Sequence, residues 1–307
     1  MISPPPSSSW LRTLANPYLL LTLTALFWSG NMVLGRGIRA DIPPLTLAFW
    51  RWAIAFVLVL PLALPHLKAQ WPQLRAGWKP LIVLGLLGVG GYNTFAYLAL
   101  QHTTATNATL LNSFIPIATI AISWLFLGKR LSGGQALGVA ISLAGALTIV
   151  ARGNLEVLLH LQLNVGDLWM LLAVLDWAIY TVALAWRPAG VHPMLMLGST
   201  IAIGLCALTP AWLWEMGHFG GPGLHMNVHA GSLLALAYVG IFPSFIGYIF
   251  YNRGVAEVGP NKGSLFIHLM PVFGTLLSFL ILGEVPLWYH YAGIALIFSG
   301  IGLTMRK

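Results

Sequence analysis

The sequence predicts an all-α membrane protein of ten transmembrane helices, built as two five-helix repeats of inverted topology. Three observations lead there. Of the 307 residues, 58% are hydrophobic and only 7% charged, against roughly 25% charged in a soluble domain. With a mean hydropathy of +0.83, the chain has too little polar surface to cover a water-soluble globule. Apolar runs close to the roughly 20 residues that cross a bilayer recur at ten places. Finally, one phrase is written twice: LGKRLSGGQALGVAISLAGAL (Leu127 to Leu147) aligns without a gap on all but the last residue of LGEVPLWYHYAGIALIFSGIGL (Leu282 to Leu303).

Residues 1–17, MISPPPSSSWLRTLANP, are rich in Pro and Ser and are expected to be a disordered cytoplasmic tail. The run from Tyr18 to Leu34 is too long for a signal-peptide core and lacks an A-x-A site, so it reads as a retained first span. The spans begin near Tyr18, Leu45, Leu81, Ala108 and Ala136, within a first unit of residues 18–152. They continue near Leu168, Met194, Ser232, Gly263 and Trp288, within a second unit of residues 166–305. Placing the N-terminus in the cytoplasm puts Arg12, Lys68, Arg75, Lys79, Lys129, Arg130, Arg187, Arg253, Lys262, Arg306 and Lys307 inside. Only Arg36, Arg39 and Arg152 fall outside, and Arg51 lies within the second span. That bias obeys the positive-inside rule and predicts cytoplasmic N- and C-termini. It also accounts for the net charge of +8 without nucleic acid, for which no basic patch exists.

The repeat extends beyond the opening phrase. At the same offset Phe95 falls on Phe250, Leu110 on Leu265, Pro116 on Pro271, Ser123 on Ser278, Gly138 on Gly293 and Gly145 on Gly300. Trp28 falls on Trp177 at a slightly different offset. Five spans per copy is odd, so the second copy must enter the membrane from the opposite side. Many secondary transporters are built this way, with their sites near the midplane at the repeat interface.

Polar side chains inside a span are expected to face protein or a water-filled cavity, and helical spacing shows which share a face. Thr24, Trp28 and Asn31 do so in span one, and Asn93, Tyr97 and Gln101 in span three. Span four offers Asn112, Ser113 and Pro116, and span six Asp176 and Tyr180 beside Trp177. Span eight carries Ser244, Tyr248 and Asn252; span nine carries Ser264, His268, Pro271, Thr275 and Ser278. A pocket of such aromatic rings and amides suits a small amphipathic or aromatic solute. The alternative is that these groups only join helices. Spans five and ten instead carry Gly138/Ser142/Gly145 and Ala292/Gly293/Gly300, small residues that permit close helix contact.

Among the seven acidic residues, Asp176 alone is predicted near a span centre. It and His268 are the candidates for coupling to protons, and Asp176 can equally bind a substrate ammonium. Arg51 is expected to snorkel outward along its helix or to bond a backbone carbonyl, with a direct role toward the substrate as the lesser alternative. Pro116 and Pro271 each remove a helical hydrogen bond at equivalent places and are candidate hinges.

The order and spacing of ALFWSGNMV in the first span, FWRWAIAFV in the second, and the LG-K/E…G…G phrase ending each half resemble the drug/metabolite transporter superfamily of EamA type. Among its members, the chain is most similar to YddG-type aromatic amino acid exporters. The resemblance covers nearly the whole chain from Tyr18. It implies a secondary transporter in a bacterial inner membrane that exports small organic solutes, amino acids including aromatic ones, by alternating access. It implies no cofactor and no metal, and both halves in one chain permit a monomer. Lys129 departs from the family pattern, which places an acidic residue after Leu-Gly in both halves. With the loop after span four inside and that after span nine outside, Lys129 and Glu284 read as marks of topology.

Other signals are weaker. GLLGVGG (Gly85 to Gly91) lies within a span with no Lys-Ser/Thr after it, which points to helix packing. His225 and His229 are four apart in a Gly/Pro-rich loop, a poor metal site. Cys206, the only cysteine, reads as a buried small hydrophobe. Export of other metabolites or drugs remains an alternative. A membrane-embedded lipid-modifying enzyme would need a catalytic cluster that seven dispersed carboxylates do not supply.

Overall fold

The computed structural model describes residues 16–159, 164–277, 279–280 and 285–305. The expected tail up to Ala15, Ser278 and Glu284 lie outside these. Among the described residues eight helices are long and apolar enough to cross a membrane: α1 (Pro17–Gly37), α2 (Pro44–Ala76), α3 (Trp78–His102), α4 (Thr106–Leu127), α5 (Gly133–Val150), α6 (Val165–Trp186), α7 (Pro193–Glu215) and α8 (Ala230–Val258). Two further helical segments follow, α9 (260–277) and α10 (Trp288–Met305). No β-strand occurs among the described residues, as expected where every backbone group must be satisfied inside hydrocarbon.

Local chemistry sets the ends. Asn16 caps α1 and is followed by Pro17 at its first turn, where the missing N–H costs nothing. Ser132 with Gln135, and Asn164 with Asp167, form reciprocal capping boxes at α5 and α6. The start of α2 is capped from a distance. The Glu215 carboxylate, at the last residue of α7, accepts from Leu45 N (2.9 Å), Thr46 N (2.6 Å) and Thr46 Oγ1 (2.7 Å). It is 2% exposed. At 33 residues, α2 is about 50 Å long, more than the roughly 30 Å hydrocarbon core. It carries Lys68 and Arg75 within the helix and turns into α3 at Gly77 alone.

Four helices depart from α geometry in their interiors. π-helical stretches occupy Leu86–Gly91 in α3 and Gly240–Ile246 in α8. A turn at Ser113 and Phe114 divides α4, with Pro116 in the first turn of its second half. A 3₁₀ turn at Phe266–His268 divides α9, just ahead of Pro271. GLLGVGG thus lies inside a helix and packs there: Gly85 meets Ile203 of α7, and Gly88 meets the Tyr180 ring.

The glycines of α5 and α10 make the closest helix contact. A Cβ on Gly138 would stand 2.6 Å from Gly300 O, and one on Gly145 2.6 Å from Gly293 O. Because the earlier glycine of each helix meets the later glycine of the other, the pair is antiparallel. Large apolar side chains such as Val57, Leu125, Leu234 and Phe298 are exposed, the arrangement of a bundle whose outer face meets lipid. Cys206 is a correction: it is exposed on α7 rather than buried, because its face of the helix points away from the bundle.

Candidate functional site

At the centre of the bundle Trp28, Asn31 and Met32 of α1, Tyr92 and Asn93 of α3, Trp177 of α6 and Tyr248 of α8 surround a cavity of about 10 Å³. That holds one water at most. The aromatic rings close it on themselves. Trp177 meets Trp28 edge-on at 4.9 Å and Tyr248 at 5.5 Å, and Tyr92 lies 4.9 Å from Trp177.

Behind the amides sits Arg51. Its Nε donates to Ser244 Oγ (2.7 Å), and its Nη1 donates to Asn93 Oδ1 (2.5 Å), Tyr97 OH (2.5 Å) and Asn31 Oδ1 (3.3 Å). Tyr97 OH in turn donates to Asn31 Oδ1 at 2.7 Å. Arg51 is 1% exposed. The expected snorkelling is therefore corrected: four acceptors from α1, α3 and α8 hold the guanidinium inward, where each hydrogen bond to a charge is worth more than a neutral one.

The π stretches meet this cluster. A π turn leaves carbonyls without their usual helical partners, and both are served by aromatic donors from elsewhere. Tyr248 OH donates to Gly88 O, and Trp28 Nε1 donates to Pro243 O at 3.1 Å. Gly88 and Pro243 stand 155 residues apart, the offset of the sequence repeat.

The remaining residues singled out in the sequence lie around this centre. Tyr180 OH donates to Asn252 Oδ1 at 2.7 Å. Asn112 accepts from Tyr92 OH at 2.9 Å and its Nδ2 reaches Met270 Sδ at 3.5 Å. Asp176 is buried against Gly91, so closely that a Cβ there would collide with its carboxylate, and its Oδ2 has no hydrogen-bond partner. His268 is fully buried between helices: Nε2 donates to Ser113 O (2.9 Å) and Nδ1 meets Ser142 Oγ (2.7 Å). It does not line the central cavity. Residue spacing did not single out Tyr92 or Trp52. Tyr92 directly precedes Asn93, and Trp52 stacks edge-on against Tyr248 at 4.7 Å.

Larger cavities lie at opposite ends of the bundle. One of about 460 Å³ is lined by Val33, Thr106, Thr109, Arg152, Pro271, Thr275 and His290. A second, about 350 Å³, is lined by Arg187, His192, Met196, Asn252 and Glu257, and a third, about 480 Å³, is lined mostly by apolar side chains, among them Leu67, Trp71 and Trp78. No group of three or more potential metal ligands occurs among the described residues. His229 instead contacts Asp41 at 3.4 Å and caps the start of α8.

Known transporters resemble the chain over most of its length. The sequence profile of the EamA-like transporter family matches residues 16–151 and again 164–306. The chain is 26% identical to "Uncharacterized transporter YyaM" of Bacillus subtilis (strain 168), over 93% of this chain and 92% of that protein. It is also 26% identical to a "Probable terminal-alkyne amino-acid exporter" of Streptantibioticus cattleyicolor, over 76% of this chain and 75% of that protein. A solved crystal structure shares the fold with a TM-score of 0.74 at 23% identity, covering 94% of this chain and 96% of the other.

Proposed function

The chain belongs to the EamA-like transporter family, a multi-pass membrane transporter and not an enzyme, and from that premise we propose that it exports amino acids, aromatic ones included, by alternating access. The observation that carries this reading is the shut aromatic and amide centre between two larger cavities at opposite ends. A solute site that opens to one end at a time needs such a centre, which closes on itself when empty. Trp28, Trp177 and Tyr248 supply faces for an apolar or aromatic side chain, and Asn31, Asn93, Tyr97 and Asn112 supply hydrogen bonds. Tyr180 and Asn252 would line the path toward the 350 Å³ cavity. The relative named as an amino-acid exporter supports the solute class.

A ten-helix, inverted-repeat architecture in a bacterial inner membrane, with both termini cytoplasmic, underlies the proposal. The glycine contacts support it. Gly138 pairs with Gly300 and Gly145 with Gly293, while the sequence equates Gly138 with Gly293 and Gly145 with Gly300. Exchanging the halves maps one contact onto the other, the mark of a two-fold interface. Ser113 and His268, also equivalent by sequence, touch at the breaks of α4 and α9.

Of the two coupling candidates, Asp176 is the stronger. Its Oδ2 is unpartnered, whereas both ring nitrogens of His268 are engaged. Pro116 and Pro271 are the proposed hinges, since each stands at a divided helix and Pro271 also lines the 460 Å³ cavity. Pro271→Ala is expected to slow turnover several-fold with little change in KM; an unaltered rate in vesicles removes the hinge assignment.

The deciding experiment is flux into proteoliposomes across a panel of amino acids, other metabolites and drugs. Saturable uptake of aromatic amino acids, stimulated by the same solute on the opposite side, is expected. Saturable flux confined to another solute class overturns the substrate assignment, and non-saturable flux overturns the carrier mechanism.

A further inference from the structure

We propose that Arg51 is a positioning residue that makes one wall of the central cavity select a carboxylate. The inference rests on the reading of the cavity as the solute site and names the group that this wall recognises. Arg51 is buried, yet no carboxylate among the described residues lies within ion-pair distance of it. A buried unpaired cation is expensive, and here only neutral acceptors offset it.

The guanidinium is a donor with no acceptor capacity. It therefore fixes how its neighbours point. Asn31 and Asn93 both turn Oδ1 toward Arg51, so their amide NH₂ groups face away from it. Both residues line the cavity. Asn93 Nδ2 reaches only Tyr248 OH, at 3.5 Å, and Asn31 Nδ2 has no hydrogen bond within the described residues. Tyr248 spends its proton on Gly88 O. The wall formed by Asn31 and Asn93 thus presents N–H donors backed by a positive charge. An incoming carboxylate satisfies the amides and compensates Arg51. A carboxamide can accept from the wall but brings no charge, and an ammonium meets donors and a like charge. Trp28 and Trp177, which also line the cavity, are aromatic and indifferent to this end of the solute.

The test is counterflow in proteoliposomes with four probes that share one ring: phenylalanine, phenylalaninamide, phenethylamine and 3-phenylpropionate. Wild-type protein is expected to favour the two acids over the amide and the amine by about ten-fold or more in kcat/KM. Arg51→Met is expected to raise KM for the acids about ten-fold while changing the amide and amine little, with partial recovery in Arg51→Lys. Asn31→Asp is the second variant, because it matches Asn31 in size and gives Arg51 an ionic partner. It removes one of the wall's two donors and the uncompensated charge, and is expected to lose the preference for acids in folded protein. An unchanged acid-to-amide ratio in Asn31→Asp, or an equal fall for all four probes, overturns the proposal while the amino-acid reading stands. If wild-type protein carries some other solute class, the amino-acid reading fails. The matched acid and amide of that class then decide, and absence of a preference for the acid overturns the role of Arg51.

Discussion

Glu215→Ala is expected to lower thermal stability sharply although Glu215 lies far from the central cavity. The carboxylate closes three donors at the first turn of α2: Leu45 N, Thr46 N and Thr46 Oγ1. Its removal leaves buried N–H groups without partners, at about 1–3 kcal/mol for each group left unsatisfied. It also removes an anion from the positive end of a long helix dipole, a further contribution of about 1 kcal/mol. A net loss of roughly 3 kcal/mol is expected after water reaches part of the site. Glu215→Gln keeps one acceptor oxygen and should lie between the two. Thermal unfolding of purified protein in detergent, followed by tryptophan fluorescence, measures this. Equal midpoints for wild type and Glu215→Ala contradict the capping role. Transport should suffer as well, since Arg51 follows the capped turn by less than two helical turns.

The second large effect is expected at Gly145. A Cβ there would stand 2.6 Å from Gly293 O and 2.8 Å from Ile297 N, both backbone atoms of α10. Side chains can rotate away from a newcomer, but a helix backbone can yield only by moving as a body. Gly145→Ala should destabilise by about 1–3 kcal/mol through overpacking. Gly145→Leu should separate α5 from α10 and abolish the monodisperse peak in size-exclusion chromatography. Gly302→Leu on α10, where nothing lies within 4 Å of the added atom, should leave that peak intact. If both leucine variants elute alike, the close contact is not what holds the pair.

Much of this fold is legible in the sequence because hydrocarbon imposes simple rules. Each expected span start lies within about three residues of a helix start, since Pro, Gly and capping residues interrupt the apolar runs at those places. Asn93 and Tyr97, and Tyr248 and Asn252, show their shared faces through spacing alone. Arg51 departs from the snorkelling expectation for a physical reason. Periodicity gives a residue's direction around its own helix, whereas its fate depends on acceptors from three other segments. The Glu215 cap joins residues about 170 positions apart, and no local pattern announces it. GLLGVGG advertised close packing through its glycines. It did not advertise π geometry, which depends on whether a donor such as Tyr248 can reach the freed carbonyl.

That geometry has a consequence for how the centre is addressed. A π turn holds one more residue than an α turn. Tightening Leu86–Gly91 to α geometry with every residue kept would turn the rest of α3 by about 100°. Asn93 and Tyr97 would swing away from Arg51 although no polar residue had been touched. In this helix, register rather than composition decides which side chains reach the centre, and the π turn keeps that register by taking up one residue.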